Sequence, residues 1–257
     1  MHDPASLTAA HPAVTFVGAG PGAAAHLTLG AFRALQAAEV VIHDRLVGDE
    51  VLALIPATAE RLDVGKEGFG PSTAQATINA VLVAQAMTGR RVVRLKGGDC
   101  GIFGRLDEEM EALEAAGLSF IILPGLTAAS VAAAAIGQSL TRRGRNASLR
   151  IVTGHDMAGF AEQDWRGLAR AGEVAAIYMG KKSARFIQGR LIMHGADPAT
   201  PVAVVENVSR PGQRILAATL ATLPDAARAL EGPAVILYGL SPRQAAAAIP
   251  ELKEARA

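Results

Sequence analysis

The stretch Arg91-Arg-Val-Val-Arg-Leu-Lys96-Gly97-Gly98-Asp99-Cys100-Gly101-Ile102-Phe103-Gly104-Arg105 concentrates residues that could hold a small molecule. A stretch read as a buried strand ends in a loop carrying four glycines, an acid, two apolar side chains and an arginine. Ligands of open α/β sheets sit at the C-terminal ends of parallel strands, where such a loop falls. An adenosyl group has no phosphate. It asks for a carboxylate at its ribose or amino group, bare backbone at close range, and apolar walls. Asp99, the Gly97–Gly98 backbone and Ile102 supply those three. A plain loop leading into a helix cap uses the same residue types, so both readings stand.

A second glycine run, Val14-Thr-Phe-Val-Gly18-Ala-Gly20-Pro21-Gly22, follows another apolar stretch. Gly18, Gly20 and Ala23 fit the pattern G-x-G-x-x-A, and Asp44 stands where the ribose-binding acid of a dinucleotide site would be. A nicotinamide or flavin oxidoreductase is therefore the rival reading. Pro21 counts against it, because proline removes a backbone N–H from the turn that would cradle a pyrophosphate. The next helical pattern begins only near Leu27, so its N-terminus is not aimed at the loop. Taken alone, Asp44 reads equally as a turn acid beside Arg45, and Lys66 as a solvated surface lysine.

These residues need a frame, and the hydrophobic pattern gives one. Short β-branched runs alternate with Ala/Leu-rich stretches of helical period, the pattern of sheets covered by helices. Strands are expected at 14–17, 40–43, 61–64, 91–95 and 120–123, with helices at 27–38, near 50–54, at 74–87 and 107–116. Beyond Pro124-Gly125 a small-residue helix at 127–136 leads to a polar stretch. Further strands are expected at 149–153, 174–179, 201–205, 234–238 and 214–219, the last antiparallel if it forms a hairpin, with a helix at 183–194. The expected fold is α/β, with two αβα lobes of mainly parallel sheets. The division runs as a tail (1–12), an N-terminal domain (13–124), a connection (125–148), a C-terminal domain (149–243) and a second tail (244–257).

Composition narrows the partners. The 257 residues are 50% hydrophobic and 4% aromatic, so alanine, valine, leucine and glycine fill the core. Lys+Arg at 25 against Asp+Glu at 24 leave a net charge of +1, which gives no global pull towards nucleic acid or an anionic membrane. An anionic ligand must then meet a local basic group. Cys100 stands alone, which excludes an internal disulfide framework and a cysteine zinc site; no metal is expected. The run 128–136 falls far short of the roughly 20 residues that cross a bilayer. The first twelve residues have no signal-peptide core. The expectation is a cytoplasmic protein.

At this point the motifs align with a family. Gly18-Ala-Gly-Pro-Gly22, Asp44-Arg-Leu-Val47, Val64-Gly-Lys66, Arg94-Leu-Lys-Gly-Gly-Asp99, Ile102-Phe-Gly-Arg105, Pro124-Gly-Leu-Thr-Ala128, Val152-Thr-Gly-His155 and Tyr178-Met-Gly180 occur in one order. In order and spacing the chain resembles the uroporphyrinogen-III C-methyltransferases of the tetrapyrrole methylase family, over residues 14 to 240. The resemblance implies a homodimer whose two lobes fold a cofactor, S-adenosyl-L-methionine, into the cleft between them. It implies methylation of uroporphyrinogen III at C2 and C7 to precorrin-2, for siroheme and cobalamin, leaving S-adenosyl-L-homocysteine.

Carried over by motif, the implied cofactor contacts are Pro21, Gly97, Gly98, Asp99, Ile102, Thr127, Ala128, Met179 and Val208. Asp44 and Lys66 fall where the family has its proton acceptor and donor. A reduced pyrrole carbon becomes cationic as it takes a methyl group, and a carboxylate such as Asp44 can stabilise that charge or accept a proton. The substrate is a polycarboxylate, for which arginines are the fitting partners. Arg45, Arg105, Arg142, Arg143 and Arg145 are the candidates, although the last three also suit a solvated linker.

Several family features differ. Glu67-Gly-Phe-Gly-Pro-Ser-Thr replaces a His-containing segment, Cys100-Gly101 replaces Pro-Phe, and Leu106-Asp107 replaces Gly-Gly. Ser139-Leu-Thr-Arg-Arg-Gly144 and Glu206-Asn-Val208 depart as well. Most of these changes fall on the substrate side. A related methylase acting on another corrinoid precursor, and a binding protein without turnover, are the further alternatives.

Overall fold

The computed structural model describes residues 11–65, 74–156 and 159–243. The chain divides between Thr127 and Ala128 into two compact units. In the first, five short runs form β1 (Val14–Gly18), β2 (Val40–His43), β3 (Glu60–Asp63), β4 (Val92–Lys96) and β5 (Phe120–Leu123); β3, at the sheet edge, is mostly charged. They lie in the order β3-β2-β4-β1-β5, and every pairing is parallel. Helices α1 (Leu29–Ala37), α2 (Asp49–Leu52), α3 (Gln75–Ala86) and α4 (Leu106–Ala115) cover this sheet.

Strand side chains alternate between faces, and the two faces have different covers. Val17, Val41, Val93 and Leu95 pack with Ala31 and Leu35 of α1 and Val51 of α2. Phe16, Val40, Ile42 and Val92 pack with Ile78 and Leu82 of α3 and Leu113 of α4. Burial on both faces explains why β2 and β4 are buried along their whole length. Each large aliphatic side chain so placed contributes about 1.5–3 kcal/mol. The Thr28 hydroxyl accepts the Ala31 N–H at 3.1 Å and starts α1. Asp107 and Glu108 place negative charge at the positive end of α4.

The second unit contains α5 (Ala128–Ala135), β6 (Arg150–Thr153), β7 (His155–Asp156), β8 (Gly159–Phe160), α6 (Trp165–Leu168), β9 (Ala175–Tyr178), α7 (Ala184–Met193), β10 (Pro201–Glu206), β11 (Arg214–Thr219), α8 (Leu223–Arg228) and β12 (Ala234–Tyr238). Its main sheet has the order β11-β10-β12-β9-β6.

Here the expectation of a second mainly parallel sheet is corrected. Only β6 and β9 pair in parallel, while β9–β12, β12–β10 and β10–β11 are antiparallel. The cause is the β10–β11 hairpin, which reverses the chain. The crossover through α8 then puts β12 on the other side of β10. Small side chains let α5 lie close on one face, where Ala129, Ala132, Ala133 and Ile136 meet Val205 and Leu237. Ile187 and Leu191 of α7 cover the other face with Leu223 of α8. The stretch expected to be a connection thus adds its helix to this core. The expected C-terminal tail lies outside the described residues, as does most of the N-terminal one.

Candidate active site

Helices α1 and α2, which follow β1 and β2, cover one face of the first sheet; α3 and α4, which follow β3 and β4, cover the other. Neighbouring strands β1 and β4 therefore send the chain to opposite sides, which opens a crevice at their C-terminal ends. The glycine loops meet there. The N–H of Gly98 donates to the Gly20 carbonyl at 2.7 Å, and the N–H of Gly20 donates back to Gly98 at 3.1 Å. Asp99 ties in the loop after β5, because its Oδ2 accepts the Gly125 N–H at 3.0 Å while Oδ1 accepts Gly101 at 2.9 Å.

Glycine is required at this crossing. A Cβ on Gly18 would run into the Gly125 backbone, and one on Gly125 into the Gly98 carbonyl. A Cβ on Gly97 would stand 2.7 Å from the Leu46 carbonyl, so the loop after β2 packs into the same place. The result is a floor of bare main chain, with Ile102 half-buried beside it. Cys100 is fully buried, and burial pushes its thiol up to about 12, so it fills space as a neutral group.

The dinucleotide alternative fits this geometry poorly. The Ala19 and Gly20 N–H groups are spent on Lys96 and Gly98, and Pro21 has none. The Glu50 carboxylate accepts the Ala24 N–H at 3.0 Å, at the start of a short 3-10 turn where a pyrophosphate would need donors.

Below the floor lies a group of charges. Arg94 and Lys96 point to the α3/α4 side of β4 and are almost wholly buried. Glu109, in the first turn of α4, is buried with them. The Arg94 guanidinium donates to Glu109 through Nε at 3.1 Å and Nη2 at 2.9 Å, and Nη2 donates to Asp44 Oδ1 at 2.6 Å. Lys96 Nζ donates to Glu109 at 2.7 Å and stands 3.9 Å from Asp44 Oδ2. Burial works against the Arg94 charge, but Asp44 and then Glu109 outweigh it and raise its pKa. Asp44 is the one member that reaches solvent appreciably, with 31% of its side chain exposed.

Asp44 therefore pairs with Arg94 rather than serving as a simple turn acid. Sequence reasoning missed the roles of Arg94 and Glu109. Their signal was two basic residues on one face of a buried strand, and an acid within the stripe Leu106, Glu109, Met110 and Leu113 that faces the core.

Lys66 lies outside the described residues. Arg45 is exposed on the turn after β2. Arg105 is half-exposed and gives two 2.7 Å bonds to Glu108, a surface pair of small net worth. In the second unit, Arg142 and Arg143 are exposed, while Arg145 donates to the Ser139 carbonyl at 2.8 Å and to Asn146 at 2.9 Å. Partial burial and then the charge of Arg142 lower the Arg145 pKa.

The expected cofactor residues fall on both units. Pro21, Gly97, Gly98, Asp99 and Ile102 gather at the first crevice, and Thr127 follows β5. Ala128 opens α5 in the second unit, where the Tyr178 hydroxyl accepts the Ala129 N–H at 2.9 Å and so brings Met179 near it. Met179 is exposed and has a positive φ of 52°, a strained state for a residue with a side chain. Asn207 and Ser209 share that state on the turn after β10. Val208 between them is only 6% exposed and packs in the core.

Comparison with known proteins identifies the family. A family model for Tetrapyrrole (Corrin/Porphyrin) Methylases matches residues 13–224. The chain is 46% identical over 226 residues to siroheme synthase 3 of Aeromonas hydrophila, covering 88% of this chain and 48% of that protein. It is 47% identical to the siroheme synthase of Edwardsiella ictaluri, covering 88% and 49%. The chain thus spans about half the length of these relatives.

Among solved structures, uroporphyrin-III C-methyltransferase of Thermus thermophilus, complexed with S-adenosylhomocysteine, matches with a TM-score of 0.75 and 36% identity over 88% of this chain and 96% of that one. A cobalt precorrin-4 methyltransferase matches with a TM-score of 0.78 and 26% identity, over 88% and 94%. The chain belongs to the tetrapyrrole methylase family.

Proposed function

We propose that this chain transfers methyl groups from S-adenosyl-L-methionine to C2 and C7 of uroporphyrinogen III, giving precorrin-2. The observation that carries the reading is the glycine-floored crevice after β1, β4 and β5, with Asp99 at its edge and Asp44 beside it. A nucleoside without phosphates can lie on bare backbone, and the donors a pyrophosphate would need are already used. The match to a methyltransferase structure that binds S-adenosylhomocysteine supports the same choice.

The sulfonium supplies an electrophilic methyl group, so the protein's task is to place the pyrrole carbon in line behind it. Gly97, Gly98, Asp99 and Ile102 would hold the nucleoside and Pro21 and Thr127 would flank it, while Ala128, Met179 and Val208 are the further cofactor residues that the family resemblance suggests. Each Asp99 oxygen gives one lone pair to a loop N–H and keeps another for a ligand. Asp44 faces the charge that develops on the pyrrole and accepts the proton released there. Lys66 returns a proton or holds a substrate carboxylate. Arg45, Arg105, Arg142, Arg143 and Arg145 bind the acidic side chains of the tetrapyrrole. The working assembly is a homodimer in the cytoplasm, testable by light scattering and cell fractionation.

Two measurements test the function. Calorimetric titration is expected to show binding of S-adenosylhomocysteine and none of NADH; the reverse result removes the reading. Anaerobic turnover with uroporphyrinogen III and methyl-labelled cofactor is expected to give dimethylated product. Transfer only to a later corrinoid precursor would move the chain to another step of the same chemistry.

A further inference from the structure

The buried charges under the crevice have a feature that packing does not require. Arg94 has five N–H donors, and five acceptors surround it: both Glu109 oxygens, Asp44 Oδ1, and the carbonyls of Ile42 and Leu95. Glu109 in turn accepts from Lys96 and lies 3.4 Å from the Gln75 amide. Buried charges are retained against a desolvation penalty, and apolar side chains of similar volume would fill the same space at less cost. Three members are closed off, and Asp44 alone opens to solvent.

The two Asp44 oxygens are unequal. Oδ1 is held at 2.6 Å by a guanidinium that is itself clamped by Glu109. Oδ2 has only Lys96 Nζ near it among the described residues, at 3.9 Å, beyond hydrogen-bond reach. Gly104 keeps room for that lysine, since a Cβ there would stand 3.2 Å from Lys96 Cε. A carboxylate on a mobile turn samples many orientations. This one is fixed by its buried side and presents a single oxygen.

We infer that Arg94 and Glu109 are positioning residues that lock the Asp44 carboxylate through Oδ1 and leave Oδ2 to meet the tetrapyrrole. The kinetic side of this inference rests on the function proposed above; the structural side does not. The network acts on the methyl-accepting substrate and not on the adenosyl seat, whose Asp99 contacts lie apart from it.

The test uses Glu109→Gln together with Arg94→Lys, which keeps the buried charge but cannot fork between two carboxylates. Each variant is expected to lower kcat ~100-fold, as a misplaced reactive group does, with KM and S-adenosylhomocysteine affinity nearly unchanged. Placed on an Asp44→Asn background, neither should lower kcat further, because both act through that carboxylate. Full additivity with Asp44→Asn would overturn the inference, as would unchanged kcat in a folded Arg94→Lys protein. Crystal structures of the same variants form the second arm. Asp44 turned or disordered supports the inference, and an Asp44 unmoved in both variants contradicts it. Absence of turnover in the unsubstituted chain would instead remove the proposed function and leave the crystal arm to decide.

Discussion

Two carboxylates stand at strand ends, one in each unit, and they are held in different ways. Glu206 closes β10 and is almost wholly buried. Its Oε1 accepts the Glu231 and Gly232 N–H groups, both at 2.5 Å, and its Oε2 pairs with Arg214 at 3.2 Å. Both oxygens are committed to joining β10, β11 and the turn before β12. Asp44 follows β2, gives one oxygen to Arg94 and leaves the other with no hydrogen bond among the described residues. Spare acceptor capacity on a firmly anchored acid separates a group placed for chemistry from one placed for stability.

Substitutions can break that contrast. The largest effect is expected from Asp44→Asn, which should lower kcat about 1000-fold, within the range for losing an acid–base group. Asn can still accept from Arg94, but losing the charge that offsets that buried guanidinium should lower thermal stability, so kcat is to be read on the folded fraction. A kcat within a few-fold of the starting protein would place Asp44 with Glu206 as a structural acid. Next in size is Asp99→Ala, expected to weaken S-adenosylhomocysteine binding by about 2–3 kcal/mol through lost bonds and a loosened loop. Calorimetry checks this, and an unchanged affinity would move the adenosyl seat elsewhere.

Glu206→Gln should do the reverse of Asp44→Asn. Its loss is expected in denaturant unfolding, about 2 kcal/mol for weakened bonds to a charged group, with kcat of the folded protein preserved. Lower turnover at equal stability would show that the strained turn after β10 depends on it. The smallest effect concerns Cys100. Burial raises its thiol to about 12 from an ordinary value near 9. The folded state then holds the proton more tightly than the unfolded one. The resulting stability is complete below pH 9 and is lost as the pH climbs towards 12. Cys100→Ser should flatten that alkaline loss, and alkylation of native Cys100 should be slow throughout.

The two units also differ in how much the sequence revealed. The central strands of the first sheet carry apolar residues towards both covers, so β2 and β5 fall on the expected residues and the others shift by one. The second sheet has equally apolar strands, yet strand composition does not state direction. Only the short connection between β10 and β11 signalled reversal, and the antiparallel β12 went unread. Helix α6 and the β7–β8 pair are too short to show a period. In the site, glycines and Asp99 were legible because close backbone approach demands particular residue types. The Arg94–Glu109 clamp was not, because it joins a strand and a helix through a pairing that spacing alone does not show. The αL state of Met179 left no trace in residue type at all.

The most direct test is methyl-label transfer under anaerobic conditions, comparing the starting chain with Asp44→Asn at saturating S-adenosylmethionine and uroporphyrinogen III. The account predicts label in a dimethylated tetrapyrrole from the first protein and almost none from the second, with both binding S-adenosylhomocysteine alike. Equal transfer by the two proteins, or none by the first, would contradict it.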